Sequence, residues 1–456
     1  MSDDLLPYFN RELQHIRRLA GEFAEAHPKE AGRLRVSADA VADPHVERLI
    51  QAFAYLAARV RLKLDDEFPE LTDSLLGVLY PHLISPIPSL AIAQVRPSDD
   101  LGASLTLGAG TEIETVEGMR EGECRFRTAY PVTLHPIRIE AVTLTGRPIN
   151  APANPRGAGA ASVLRLTLKT TQPDLTFDKL DLSRLRFHLR GTTQVAQALY
   201  ELLFTSTLSI ALADGVNDPN PVILDTDALR PVGFEPDEGL LPYPNRSFIG
   251  YRLLSELFAF PEKFLFFDLD HIERKTLVGA GNKLEVFIYL SRSVTELERT
   301  VSGDSFALGC TPIVNLFPMR AEPIHLAERS FEYRIVPDAR RARGLEIYAV
   351  EQVRLTSPAG EEVEVEPFYS IRHGLGLKAQ SYWHTTRRPA PRASAAARCS
   401  WAWSRPRSRP TPRPPGPPRS RSWRSIATCR RNCPSAPAGR ACNWPRTPPG
   451  CSRWPC

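Results

Sequence analysis

Two apolar stripes with heptad spacing lie within the first 64 residues and fix what this part of the chain can be. Leu6, Phe9, Leu13, Ile16, Ala20 and Phe23 follow one another at intervals of 3, 4, 3, 4 and 3. Such intervals put every member on one face of an α-helix, and a stripe this narrow is the seam of a bundle or coiled coil. The spacing predicts a helix over 3–26, stopped by Pro28. A second helix is expected from Asp43-Pro44, a capping residue followed by a proline suited to the first helical position. Its stripe is Val46, Ile50, Phe53, Ala57, Val60 and Leu64. A short third helix is expected from about Pro69 to Tyr80, with Leu71, Leu75, Leu76 and Leu79 apolar. Leu6, Phe9, Leu13, Ile16 and Phe23 are expected to be buried, and spacing leaves open whether this chain or another covers them.

Beyond Pro81, Pro86 and Pro88 the apolar period changes to two. Leu164, Leu166 and Leu168 alternate with Arg165, Thr167 and Lys169; Leu185, Phe187 and Leu189 alternate with Arg184, Arg186, His188 and Arg190; Leu284, Val286, Ile288 and Leu290 repeat the pattern. These read as half-buried strands. Helical stretches fall at about 193–204 and 246–258, and the Pro/Gly/Ala/Asn-rich 148–161 reads as a linker or long loop. The expected fold class is α+β, multi-domain and elongated. A helical N-terminal arm or bundle (1–85) precedes a β-rich segment (86–150), an α+β body (151–388) and an irregular or disordered Arg/Pro-rich tail (389–456).

The tail dominates the composition. From Pro389 onward there are 14 arginines and no Asp, Glu or Lys, so the tail carries +14. The whole chain carries +5, so residues 1–388 carry −9, and the basic balance of the full sequence is no footprint for nucleic acid. Six of the eight cysteines and five of the six tryptophans also lie in the tail. That composition suits translation of a GC-rich gene in the wrong frame better than it suits a disordered basic segment. Residues 427–436 can be encoded so that the frame starting one base earlier reads Arg-Asp-Leu-Pro-Ala-Glu-Leu-Pro-Phe-Gly. Little regular structure and few contacts with the body are therefore expected there. In the body, Cys124 and Cys310 are two scattered cysteines, which fits a reducing cytoplasmic setting. The start MSDDLLPYFNREL has no basic and apolar leader pattern, and no run of 18 apolar residues exists to insert in a membrane.

Chemistry-bearing patterns are weak. Asp65, Asp66 and Glu67 sit between two helices, where carboxylates favour the next N-terminus. His45 and His82 have no partner at metal-ligand spacing. Gly157-Ala158-Gly159 and Gly279-Ala280-Gly281 do not continue as phosphate loops, and no serine sits in a nucleophile elbow. Tyr243, Arg246, Tyr251 and Glu256 gather in one stretch. We read it as an apolar helix packed on the following strand, with Arg246 on a buried carboxylate or backbone carbonyls. No catalytic, cofactor-binding or metal residue is assigned, and no cofactor is expected. A structural subunit, an unrecognised hydrolase or transferase, and a nucleic-acid adaptor with a basic tail remain distinguishable. A pocket joining an acid, a base and a nucleophile from distant positions would favour the second.

Longer blocks carry a resemblance. They are PYFNREL at Pro7–Leu13, the 41 residues Asp43–Leu83, CRFRTAYPVTL at Cys124–Leu134, Leu240–Leu269, LGCTPIVNLFP at Leu308–Pro318 and EYRIVPDARR at Glu332–Arg341. With these the chain, as far as about Trp383-His384, resembles the TssF (VasA/ImpG) family of type VI secretion baseplate subunits. The resemblance implies a non-enzymatic wedge component of a contractile injection system. Its partners would be TssG, a second TssF copy, TssE and TssK, with the spike hub and sheath beyond; neither nucleic acid nor membrane insertion is implied. The setting would be the cytoplasm, at a baseplate docked on the inner face of the envelope. The partner-binding residues expected on that basis are Leu6, Phe9, Leu13, Ile16, Phe23, Val46, Ile50, Phe53 and Val60. The family continues in frame where this chain changes composition.

Overall fold

A computed structural model describes residues 5–35, 37, 43–65, 69–115, 124–273, 277, 280–326, 332–340, 345–356, 360–369, 382–388, 398–404, 420–428 and 442–443. The chain divides into two compact units, 1–77 and 78–456.

The first unit is helical: α1 (Leu5–Ala26), α2 (Pro28–Leu34), α3 (Pro44–Asp65) and most of α4 (Pro69–Leu79). Pro28 ends α1 by starting α2, in which it takes the first-turn place where a missing N–H costs nothing. Packing of α1 on α3 departs from the heptad reading. The buried residues are Leu5 and Gly21 on α1 and Ala54 and Ala58 on α3. Small side chains let the backbones approach closely, and the bulky stripe residues are left at the margins. Arg17 bonds the Glu47 carboxylate across the pair, and that bond holds the carboxyl below its ordinary range despite some desolvation.

The second unit is built of sheets. After the short α5 (Pro81–Ile84), one five-stranded sheet orders Val222–Leu224, Thr207–Ala213, Lys283–Leu290, Ser162–Thr170 and Ile137–Gly146, all antiparallel. A four-stranded antiparallel sheet orders Leu229–Pro231, Phe266–Leu269, Leu185–Leu189 and Phe306–Leu308. Helix α6 (Thr193–Ser206) contributes Leu199, Leu202 and Leu203 to the core that these sheets share, beside Leu164, Leu166, Leu168, Phe187 and Phe267. Helices α7 (Ile249–Ala259) and α8 (Thr295–Thr300) are the other α-helices among the described residues of this unit. The boundary expected at 150 runs through one sheet, because Ile137–Gly146 pairs with Ser162–Thr170 on either side of it. The 148–161 stretch is packed loop, with Tyr289 donating to the Pro152 carbonyl at 2.6 Å and Asn154 to Ser209 at 2.8 Å.

The alternating strands are more buried than expected. Lys283–Leu290 is buried at every position after the first. Its charged member, Glu285, accepts from Arg165 at 2.9 and 2.7 Å and from Lys283 at 2.6 Å. Burial pushes the Glu285 carboxyl up, but these cations outweigh it and hold the pKa below the usual value. A polar residue in the alternation thus marks a cross-strand ion pair here, and not a solvent face.

Three tail segments expected without regular structure are strands. Arg398–Ser404 pairs with Tyr382–Arg388 and Glu332–Arg334, Ser420–Thr428 lies between Phe317–Ala321 and Glu346–Thr356, and Cys442–Asn443 pairs with Glu112–Thr115. All three are proline-free. A backbone ladder can take any such proline-free segment, whatever its side chains. The remaining tail, with Cys429, Cys433 and Cys451, lies outside the described residues.

Candidate functional site

Helix α7 is turned inside out. Its two charged residues, Arg252 and Glu256, stand four apart on one face and are buried, at 4% and 3% exposure. Its apolar residues Tyr251, Leu254, Leu257 and Phe258 are exposed, as is Phe248 just before it, and Phe258 is 85% exposed. The expected packing of this helix through its apolar face is therefore wrong. Polar bonds seat it instead. Glu256 accepts the Leu240 N–H at 2.8 Å and the ammonium of fully buried Lys263. Arg252 donates to the Pro236 and Glu235 carbonyls at 2.7 Å each. Gly239 lies so close that a Cβ there would sit 3.1 Å from the Arg252 guanidinium. Burial lowers the Lys263 pKa, with Glu256 opposing. Behind this cluster Arg186 grips Asp268 at 2.7 and 2.8 Å, two parallel charge-assisted bonds that fix the strand below.

The approach to α7 is held as firmly. Arg246 donates to the Val78 carbonyl at 2.6 Å, which is the backbone role expected of it. Tyr80 meets Tyr251 edge-on at 5.2 Å between centroids, and His82 packs on Tyr243 at 4.6 Å. Burial lowers the His82 pKa, so the ring is an uncharged packing element. Leu83, Ile84 and Ile87 on the same segment are exposed. A cluster of outward apolar residues on a folded scaffold is the signature of a surface that another chain covers.

The helical unit carries a second such surface. None of the nine stripe residues expected to bind partners is buried within this chain. Phe9, Leu13, Ile16, Val46 and Ile50 are half-buried, while Leu6, Phe23, Phe53 and Val60 are exposed. Leu49, Leu56 and Leu64 are exposed too, so α3 presents Leu49, Phe53, Leu56, Val60 and Leu64 at intervals of 4, 3, 4 and 4. Of the stripe that spacing predicts on α3, Phe53, Val60 and Leu64 belong to this exposed row, whereas Val46, Ile50 and Ala57 are half-buried, and spacing passed over the small buried residues Ala54 and Ala58.

A cleft of about 670 Å³ in the second unit gathers Ser104, His135, Asp181, Arg184, Arg230, Asp270 and Cys310. Ser104 Oγ lies 2.8 Å from His135 Nδ1. This is the kind of meeting that an enzyme would need, but its origin is a strand ladder. Leu105 is the register partner of Leu134, which makes Ser104 and His135 the next facing pair. Burial lowers the His135 pKa, and the Arg184 carbonyl faces the ring, while Asp181 acts only through its charge. Arg184 and Arg230 are engaged with Asp270 at 2.6 and 3.3 Å. Burial pushes the Cys310 thiol up to about 12, away from nucleophilic use. Among the described residues no group of three or more His, Cys, Asp or Glu side chains is placed to hold a metal, and no helix is long and apolar enough to cross a membrane. Asp65 pairs with Arg61 at 3.5 Å, whereas Asp66, Glu67 and Gly279 lie outside the described residues.

Comparison with known proteins agrees with the long sequence blocks. The family model for the type VI secretion system protein TssF matches residues 1–402. The type VI secretion system component TssF1 of Pseudomonas aeruginosa is 38% identical over 405 residues, which cover 85% of this chain. The chain spans 64% of the length of that relative. A chain in the cryo-electron microscopy structure of a type VI TssK-TssF-TssG baseplate subcomplex superposes with a TM-score of 0.69 at 27% identity, over 90% of this chain and 73% of that one. A chain of another type VI baseplate complex shares the fold, with a TM-score of 0.50 at 24% identity over 94% of this chain and 72% of that one.

Proposed function

The chain belongs to the TssF family of the type VI secretion system, and from that premise we propose that it is a structural subunit of the baseplate wedge, assembling with TssG and TssK. The observation that carries this reading is α7, whose apolar residues face outward over a buried ionic seat. The exposed row on α3 supports it in the same way. Burying such surface against a partner gains about 25 cal/mol per Å² removed from water. The wedge would hold a second copy of this chain and TssE, anchor the spike hub and start sheath polymerisation from the inner face of the envelope. Leu6, Phe9, Leu13, Ile16, Phe23, Val46, Ile50, Phe53 and Val60 then close an intermolecular helix bundle, the large residues meeting a neighbour while Gly21, Ala54 and Ala58 keep α1 on α3. No reaction is part of this role.

Co-expression tests it. With TssG and TssK from the same bacterium, the chain is expected to co-elute with both in size-exclusion chromatography and to aggregate without them. A stable, monodisperse monomer that ignores both partners would overturn the reading.

A further inference from the structure

The outer face of the five-stranded sheet carries a row of like charges. Arg138, Lys169 and Lys283 are register partners on three neighbouring strands, Ile137–Gly146, Ser162–Thr170 and Lys283–Leu290. Neighbouring strands lie about 4.8 Å apart, so each cation stands directly beside the next. Leu168 and Leu284, next to them in sequence, are buried in the core, which turns the row to the opposite face. All three cations reach water: Arg138 is exposed, and the side chains of Lys169 and Lys283 are 34% and 42% accessible. Like charges directly opposite one another destabilise a sheet, so the row weakens the lone chain. The carboxylates nearby do not neutralise it. Glu285, fully buried two residues along from Lys283, is shared between Lys283 and Arg165. Glu140 is the extra residue of a bulge between Ile139 and Ala141 and reaches Lys169 only at 3.5 Å. Arg138 has no hydrogen-bond or ion-pair partner among the described residues. Arg138, Arg165, Lys169 and Lys283 thus face only Glu140 and Glu285, an excess of two positive charges on a body, residues 1–388, that carries −9.

We infer that this row is a docking face for an acidic segment of another protein chain, which lays carboxylates across Arg138, Lys169 and Lys283. Two carboxylates match the charge excess and relieve the repulsion within the row. The acidic body around the patch repels nucleic acid. An anionic membrane calls for clusters of about 4–8 Lys or Arg, and here Arg165 and Lys283 are already held by Glu285. The row lies on neither α7 nor α3, so the docking face stands or falls apart from the wedge reading.

Amine labelling tests this on the full chain. The probe is a terminally blocked oligoglutamate with one side chain carried as a succinimidyl ester, and the control is the oligoglutamine with the same ester. The ester couples to lysine, and the segment from Pro389 has none, so its arginines add no label of their own. Mass spectrometry reads the label at each lysine as the ratio of the acidic to the neutral probe. Lys169 and Lys283 should be enriched about fivefold over exposed Lys29 of the helical unit, the effect of one added charge contact. The enrichment should fade as salt is raised. Arg138→Gln, which removes no labelling site, should lose most of the enrichment at Lys169 and leave Lys29 unchanged. Its melting temperature should hold or rise, because a like charge has left the row. Vesicles with about 30% phosphatidylserine should not protect Lys169 from the neutral probe. No enrichment at Lys169 and Lys283, equal enrichment at Lys29, or full enrichment in Arg138→Gln overturns the proposal. A lower melting temperature in Arg138→Gln would make the row a structural network, and protection by the vesicles would make a membrane its occupant; either result overturns it too.

Discussion

Lys263 places its ammonium against the Glu256 carboxylate where both side chains are shut off from water, at 0% and 3% exposure. The pair sits beneath α7 and holds it by charge where most amphipathic helices are held by leucines. Removing one partner of such a pair strands the other. Glu256→Ala should therefore destabilise the second unit by about 3–5 kcal/mol in urea unfolding. Glu256→Leu combined with Lys263→Met should recover part of that loss, because no buried charge is left alone, although the Leu240 N–H loses its acceptor. If Glu256→Ala costs less than about 1 kcal/mol, the pair is not what seats the helix.

The exposed face of α7 separates binding from folding. Phe258→Ser and Leu254→Ser remove apolar surface that touches water in the lone chain, so stability should change by no more than about 0.5 kcal/mol. Affinity for the wedge partner should fall by about 2 kcal/mol for Phe258, roughly thirtyfold. Titration calorimetry of the variants against purified partner gives the answer. Full affinity would remove α7 from the interface.

On the helical unit the stripe splits in two. Phe9→Asp and Ile16→Asp alter half-buried positions, so they should lower the melting temperature of the unit and abolish assembly together. Phe53→Asp and Val60→Asp alter exposed positions and should abolish recovery of TssG in a pull-down while leaving helix content intact. Equal recovery of TssG by Phe53→Asp and wild type would mean that the outer row of α3 meets no partner.

His188 makes stability depend on pH. Burial depresses its pKa from 6.5 to about 4, with the Arg190 charge adding a little. Above pH 6.5 the ring is neutral in both folded and unfolded chains and contributes no pH dependence. Below that value the unfolded chain takes up a proton that the folded chain refuses until about pH 4. Stability should fall across this window by about 3 kcal/mol from this group alone. His188→Phe should flatten the stability profile there, measured by urea unfolding between pH 7 and pH 4.5. A variant with the same slope as wild type would mean that the ring is not buried neutral.

Sequence periodicity located the helices and the main strands because each carries its own pattern. Leu185–Leu189 appears as read, and α6 and α7 begin within three residues of the expected positions. Orientation was less legible. On α7 the apolar residues suggested the packed face, yet Arg252 and Glu256 decided it, since they meet Lys263 and carbonyls from other elements. A signal was present: two opposite charges four apart are the only charges in that helix. Likewise Glu285 looked like a solvent-facing residue until Arg165 and Lys283 were placed beside it. Ala54 and Ala58 went unnoticed because a heptad reading counts bulky residues, whereas close helix contact needs small ones.

The last prediction concerns residues from about Pro389. We read them as out-of-frame translation, on composition: 14 arginines, no Asp, Glu or Lys, and five of the six tryptophans. The strands at Arg398–Ser404 and Ser420–Thr428 do not oppose this reading. They are held through backbone ladders to a strand on either side, and such ladders ask for no particular side chains. Side-chain chemistry chosen for a sheet should thus be replaceable there at little cost. Multiple serine substitutions across 398–404 are expected to leave the melting temperature of the second unit within about 2 °C, since the ladder that places this strand is made of backbone bonds. The nucleotide sequence gives the sharper test. Read one base earlier, codons beyond 388 should form an open frame with ordinary strand-like text that includes Arg-Asp-Leu-Pro-Ala-Glu-Leu-Pro-Phe-Gly. A one-base correction should then restore secretion in a strain lacking the gene better than the uncorrected form does. A stop codon within the alternative frame across 389–456 would sink the idea and make the arginine-rich segment a genuine domain.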